Sequence, residues 1–253
     1  MNCAHHVLLA TGALLSVSGC AMPTFAVRAG ASMPRVSGEV ALGDAGAAAP
    51  IDVDSELGLG DRSVAPFVEA EFDGPLGRIA VSGFRHAAEG RGAIAEGFGD
   101  IPGGTAVEST LDVQNVRAAW TWELFDLGPL TLAPGIGLDW FAIDTDVRSL
   151  TAISVREQVR VEAPVPMVFL RAAVDFDVVR ADVLAGGLAV DAADLDGTFV
   201  DLEGRLTIAP WDGVEFFVGY RRITVDATSV VDGEDFGTDV VLDGLNFGGA
   251  LRF

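Results

Sequence analysis

Hydrophobic and polar residues alternate one for one along most of this chain. Between Asn115 and Leu124, Val116, Ala118, Trp120, Trp122 and Leu124 share one face, and Asn115, Arg117, Ala119, Thr121 and Glu123 share the other. On a helix that pattern would bury Arg117 and Glu123, so it predicts a strand. The same reading gives strands beginning at Met33 (Val36, Gly38, Val40 and Leu42 against Arg35, Ser37 and Glu39), and over 64–72, 78–86, 115–124 and 130–140. Five more follow over 159–176, 179–190, 200–208, 214–226 and 240–253. Apolar positions are expected to face outward. The alternation slips near Met167 to Phe169, near Val183 and at Arg221 and Arg222, where bulges or strand ends are expected.

Connections between these strands alternate long and short. Gly43 to Ser63 and Ala87 to Thr110 are long, whereas Asp73 to Gly77 and Trp211 to Gly213 are tight turns. Long loops on one side and short turns on the other suit an all-β, antiparallel up-and-down transmembrane β-barrel of ten strands, with eight or twelve as alternatives. A soluble exported β-barrel that binds a ligand would alternate in the same way. It would have no reason to place Trp120, Trp122, Trp140 and Trp211 at strand ends, where a membrane girdle lies.

Composition narrows this further. Half of the 253 residues are hydrophobic and the mean hydropathy is +0.39, yet beyond the first 22 residues no apolar run reaches the roughly 18–20 residues of a membrane helix. The segment Val7 to Val17 has signal-peptide length, and Val17-Ser18-Gly19-Cys20 has the small residues and Cys of a lipobox. The expected organisation is a signal peptide over 1–19, a lipid-modified Cys20 opening a periplasmic tether over 20–32, and a barrel over 33–253. Ordinary cleavage after Ala21 is the alternative. Both cysteines, Cys3 and Cys20, lie in this leader, so no disulfide or zinc framework is expected in the mature chain.

In the last strand Leu245, Phe247, Gly249, Leu251 and Phe253 share one face and Gly244, Asn246, Gly248, Ala250 and Arg252 the other. With the terminal Phe253, this resembles the signal read by barrel insertion machinery, carried by Phe247, Leu251 and Phe253. Together with Ile51 to Gly58 and Phe217 to Arg222, it makes the chain resemble small bacterial outer-membrane β-barrel proteins, of the OmpW and OmpA barrel type in general pattern. The resemblance implies a fold, an outer-membrane location and lipid and insertion-machinery partners. It brings no catalytic residue.

Charge then bears on function. The net charge of −21 excludes a nucleic-acid partner, and every basic residue is Arg. The inward faces are expected to carry Arg35, Arg78, Arg117, Arg171, Arg180, Arg205 and Arg252 with Glu39, Glu69, Glu71, Glu123, Asp139, Asp175, Asp182, Asp201 and Glu203. In a barrel this small such groups can reach one another across the axis. The excess negative charge then falls in external loops. Asp52-x-Asp54-x-Glu56 faintly suggests a weak divalent-cation site, although Leu57 stands where a calcium loop has Gly. No cofactor and no resident metal are expected. The mature chain has one histidine, His86, read as a polar surface residue at a strand end. Catalysis on lipid or peptide would need a Ser from a neighbouring strand or loop beside it. The expected protein is a monomeric, non-enzymatic outer-membrane barrel, a narrow porin-like pore or a structural cell-envelope protein.

Overall fold

A computed structural model of the protein describes residues 23–43, 49–151, 155–192, 195–231 and 234–253. Among them there is no helix, and the strands run β1 (Thr24–Gly43), β2 (Ile51–Asp52), β3 (Ala65–Gly74), β4 (Gly77–Ile94), β5 (Thr105–Thr121), β6 (Phe125–Leu127), β7 (Leu130–Ser149), β8 (Arg156–Phe176), β9 (Val179–Ala192), β10 (Leu195–Trp211), β11 (Val214–Val231) and β12 (Glu234–Arg252). Apart from the short β2 and β6, ten strands pair antiparallel with their sequence neighbours, and β12 pairs with β1 to close the barrel. Closure gives each long strand a partner on both sides, except along the upper ends of β1 and β4 beside the short β3. At the closing seam Phe25 and Phe253 exchange backbone hydrogen bonds of 3.1 and 2.8 Å.

The barrel wall begins at Thr24, inside the stretch expected to be tether. In Phe25-Ala26-Val27-Arg28-Ala29, Phe25 and Val27 face outward and Ala26 and Arg28 face inward. Composition disguised this strand, because a short Ala-rich segment with one Arg reads as linker. The expected signal peptide and the expected lipidation site Cys20 lie outside the described residues.

Along each strand the apolar face changes sides. On β5 the exposed residues are Val116 and Trp120 near one end and Thr110 and Gln114 near the other, while the buried residues run from Arg117 and Asn115 to Val113, Leu111 and Val107. On β8, Val168 and Leu170 point out below, and Arg156, Gln158, Arg160 and Glu162 point out above. On β11, Phe216, Val218 and Tyr220 give way to Arg222 on the outside, as Glu215 and Arg221 give way to Ile223 inside. The lower storey, next to the short turns, is greasy outside and charged inside. The upper storey is charged outside and greasy inside.

This inversion replaces the expected bulges. The β7–β8, β8–β9 and β11–β12 ladders run in continuous register through Met167–Phe169, Val183 and Arg221–Arg222. Through these stretches the side-chain period does not slip; the outward residues change from apolar to polar and charged. For the same reason the strands reach farther than expected: β4 and β5 absorb most of the predicted loop from Ala87 to Thr110.

One strand stops early. β3 has 10 residues whereas its neighbours β1 and β4 have 20 and 18. The first long connection fills the missing upper length: β2 pairs with β1 at Val40↔Ile51, Val53 N donates to Gly38 O at 2.8 Å, and the backbone of Glu56 to Gly58 lies against β4. Gly90 and Gly92 permit this approach, since a Cβ on them would meet Gly58 O at 2.1 Å and Glu56 O at 1.9 Å. Ile51, Val53, Leu57 and Leu59 from this segment join Ile94, Phe98, Ile101, Val107, Val147, Phe199 and Leu242 in one buried apolar cluster. Burying a side chain of this size contributes about 1.5–3 kcal/mol, which favours seating the segment on the wall.

Candidate functional site

The lower lumen holds the residues capable of chemistry, and the strand period brings them there. Every second residue of a wall strand points inward, and in this storey those residues are Arg, Asp and Glu. Arg28 on β1 binds Glu69 at 2.7 Å, Glu71 at 2.5 Å and Glu215 at 3.2 Å. Arg205 on β10 reaches across to Glu69 at 2.6 Å and along its own strand to Glu203 at 2.5 Å. Nearer the upper storey, Arg117 and Arg221 share Asp201 at 2.9 and 2.8 Å; Arg117 also binds Glu203, and Arg221 binds Asp139 at 3.2 Å. Nearer the turns, Asp182 accepts from Arg171 at 2.6 Å, Arg180 at 3.1 Å and Arg78 at 3.4 Å. Arg252 closes the lower end on Glu215 at 2.6 Å.

These pairs bridge strands far apart in sequence, which Arg's forked guanidinium makes feasible. Phe67 and Phe217 pack with ring centroids 5.8 Å apart, and the Arg205 guanidinium lies 5.5 Å from the Phe217 centroid. Desolvating each ion costs several kcal/mol, and multiple partners offset that cost. The arrangement is a cross-linked filling rather than a row of charges along a water column.

Several expected members stand elsewhere. Arg35 binds Asp54 and Gly60 O, with both charged side chains about two-fifths exposed, and Glu39 is exposed. Both belong to the outer surface of β1, because Val36 and Leu42 face the apolar upper interior and leave the polar residues in water. Asp175 is exposed at the end of β8, and Glu123, half exposed, lies 3.7 Å from Arg171. Sequence reasoning missed Arg28, assigned to the tether, and Asn115, Glu215 and Arg221. The inward alternation of β11 with Phe217 was the signal for the last two.

The acidic motif in the first connection has structural partners. Asp52 Oδ1 accepts from Ser55 N at 2.6 Å and Ser55 Oγ at 2.8 Å, which holds its carboxyl below the usual range. Glu56 accepts from Asp52 N at 2.9 Å and Ala95 N at 2.6 Å, tying the connection to the end of β4.

His86 is fully buried, contrary to the surface position expected for it. It sits on β4 beside the outward Arg85, which marks the upper edge of the apolar belt. Its Nδ1 lies 2.8 Å from Ser63 Oγ, at the end of the first connection. Burial pushes its pKa down, against the opposing charge of Asp112. The contact with Ser63 arises because the connection folds back on β4.

Outside, the lower storey presents a continuous belt that includes Phe25, Ile79, Trp120, Ile136, Leu170, Leu206, Phe216, Phe247, Leu251 and Phe253. Trp120 and Trp122 pack with tilted rings, centroids 4.7 Å apart, and Trp120 Nε1 donates to Leu76 O at 2.8 Å. Above the belt the outer wall carries pairs between neighbouring strands: Arg85 with Asp112, Arg91 with Glu108, Arg156 with Asp146, and Arg160 with Asp144. Hydrogen bonds from Arg160 and Gln158 hold Asp144 below the usual carboxylate range.

No family model matches the chain, and no curated protein matches it. Among solved structures, it superposes on the outer membrane protease OmpT from Escherichia coli with a TM-score of 0.59 at 9% identity, over 91% of this chain and 97% of that one. The translocator domain of the autotransporter NalP from Neisseria meningitidis matches with a TM-score of 0.45 at 12% identity, over 97% and 93% of the two chains. The attachment invasion locus protein Ail of Yersinia pestis matches with a TM-score of 0.36 at 10% identity, over 91% and 99%. At such identities the likeness is one of fold, and the chain carries the closed antiparallel ten-strand barrel of small outer-membrane proteins.

Proposed function

We propose that this protein is a non-conducting outer-membrane barrel, a structural surface protein whose upper storey stands clear of the bilayer. One observation carries the reading: the interior is filled at both levels, by ion pairs within the belt and by an apolar cluster above it. Ions crossing the barrel would have to break pairs buried from water and then pass a packed hydrocarbon layer, and each step carries a large desolvation cost. The outer-wall pairs between neighbouring strands suit a surface exposed to water.

The test is planar-bilayer conductance of refolded protein whose mobility on a detergent gel shifts on heating. Silence across a wide voltage range is expected. Discrete, reproducible current steps from the folded species would overturn the closed-lumen reading in favour of a narrow pore.

A further inference from the structure

Within the ion-pair filling lies a cavity of about 40 Å³, lined by Arg78, Arg117, Arg171 and Arg205 together with Glu69, Asp182 and Glu203. On that measure roughly 10–15 Å³ accommodates one water, so the space suits a small inorganic species and excludes an organic ligand. Four guanidinium groups face three carboxylates. Both oxygens of every lining carboxylate already accept from arginine: Glu69 from Arg28 and Arg205, Asp182 from Arg171, Arg78 and Arg180, and Glu203 from Arg205 and Arg117. Donors remain. Among the described residues, Arg171 Nη1 and Arg205 Nε are buried without a hydrogen-bond acceptor; Arg171 Nη1 lies 3.7 Å from the half-exposed Glu123 carboxylate, beyond hydrogen-bond distance.

We infer that this cavity is a binding site for a small monovalent anion of the halide class, held by the unsatisfied N–H groups of Arg171 and Arg205. A buried donor left without an acceptor costs about 1–3 kcal/mol, more when it belongs to a charged group. A water can accept from these donors and give its own hydrogens to Glu69 Oε2 or Glu203 Oε1, which each accept from one arginine, but it leaves the surplus positive charge of the lining in place. A halide accepts from several N–H groups, donates nothing and offsets the surplus positive charge of the lining. A divalent anion would overcompensate that surplus. The inference rests on the closed-lumen reading, since an open lumen would leave the cavity in bulk solvent.

The test uses the refolded full-length chain. In crystals grown with sodium bromide, an anomalous peak is expected in this cavity beside Arg171 Nη1. In vesicles, urea unfolding is compared in sodium chloride and sodium gluconate at equal ionic strength. The unfolding equilibrium constant should fall about tenfold for each tenfold rise in halide above its dissociation constant. Ala80→Leu, which fills the cavity while keeping every charge, should abolish both the peak and the chloride dependence. If that variant does not fold, Arg171→Gln carries the same comparison. Waters but no bromide in the cavity, or a chloride dependence unchanged in the variants, would overturn the site. Conductance decides separately whether the lumen is closed, so failure of one reading is distinguishable from failure of the other.

Discussion

At the scale of single residues the interior behaves as a set of shared partners. Arg205 holds Glu69 and Glu203 at once, so Arg205→Ala leaves two buried carboxylates short of a cation. Removing one member of a buried pair costs about 3–5 kcal/mol, and the urea midpoint of the refolded barrel is expected to drop accordingly. His86 gives a prediction of a different kind. Its folded pKa is depressed, so its contribution is complete above the ordinary histidine value of about 6.5 and is lost as pH falls through the lower folded value. Stability measured between pH 7.5 and 5 should therefore decline, and His86→Gln should flatten that slope. The depressed carboxyls of Asp52 and Asp144 act in a separate window, below the ordinary aspartate value of about 3.9, so they do not obscure it. A decline of the same size in the variant would assign the slope to other groups. His86 was visible in the sequence as the one histidine beyond residue 6, but its burial was not, because the residue that meets it belongs to a connection without strand periodicity.

At the scale of elements, the short β3 decides how the upper storey is built. The first connection substitutes for the missing strand length, and its seat depends on Gly90 and Gly92. Gly90→Val would place side-chain carbon where Gly58 O now lies. The segment 52–63 is then expected to leave the wall, seen as rapid cleavage after Glu56 by a glutamate-specific protease while the lower storey keeps its heat-shifted gel mobility. Unchanged protection would mean that the segment is held by its apolar side chains alone. The strand expectations for 115–124 and 200–208 were legible because both halves of the alternation lie in the belt there. The stretch 87–110 read as loop, because small and charged residues alternate in it without the large apolar markers of a lipid face.

At the scale of the whole molecule, the boundary between storeys locates the bilayer surface. Val168 points out of the belt and is two-thirds exposed, whereas Thr110 points out of the wall above it. Val168→Arg should destabilise the vesicle-inserted barrel by about 2–4 kcal/mol, the range for a basic residue near the bilayer midplane, and Thr110→Arg by little. Equal effects at both sites would mean that the belt is not where lipid lies. The chain's strong negative charge fits the same picture: the lower filling is nearly balanced, so the surplus carboxylates stand on surfaces in contact with water.

The amino-acid sequence by itself determined the class of fold, the antiparallel strand count and the greasy outer face of the lower storey, because period-two alternation and turn chemistry are local properties. It also placed most of the charged lumen, since a strand puts every second residue on one side whatever its partner. What only the tertiary structure decided is which side counts as inside along the upper strands. Lipid and water exchange places at the membrane surface, so one alternating pattern has opposite meanings at the two ends of a strand. Arg35 and Glu39 were misplaced for that reason. Arg205 with Glu69 and Arg221 with Asp139 join different strands of the wall, and only closure of the barrel brings them within a few ångströms of each other; Ser63 meets His86 because the first connection folds back on β4.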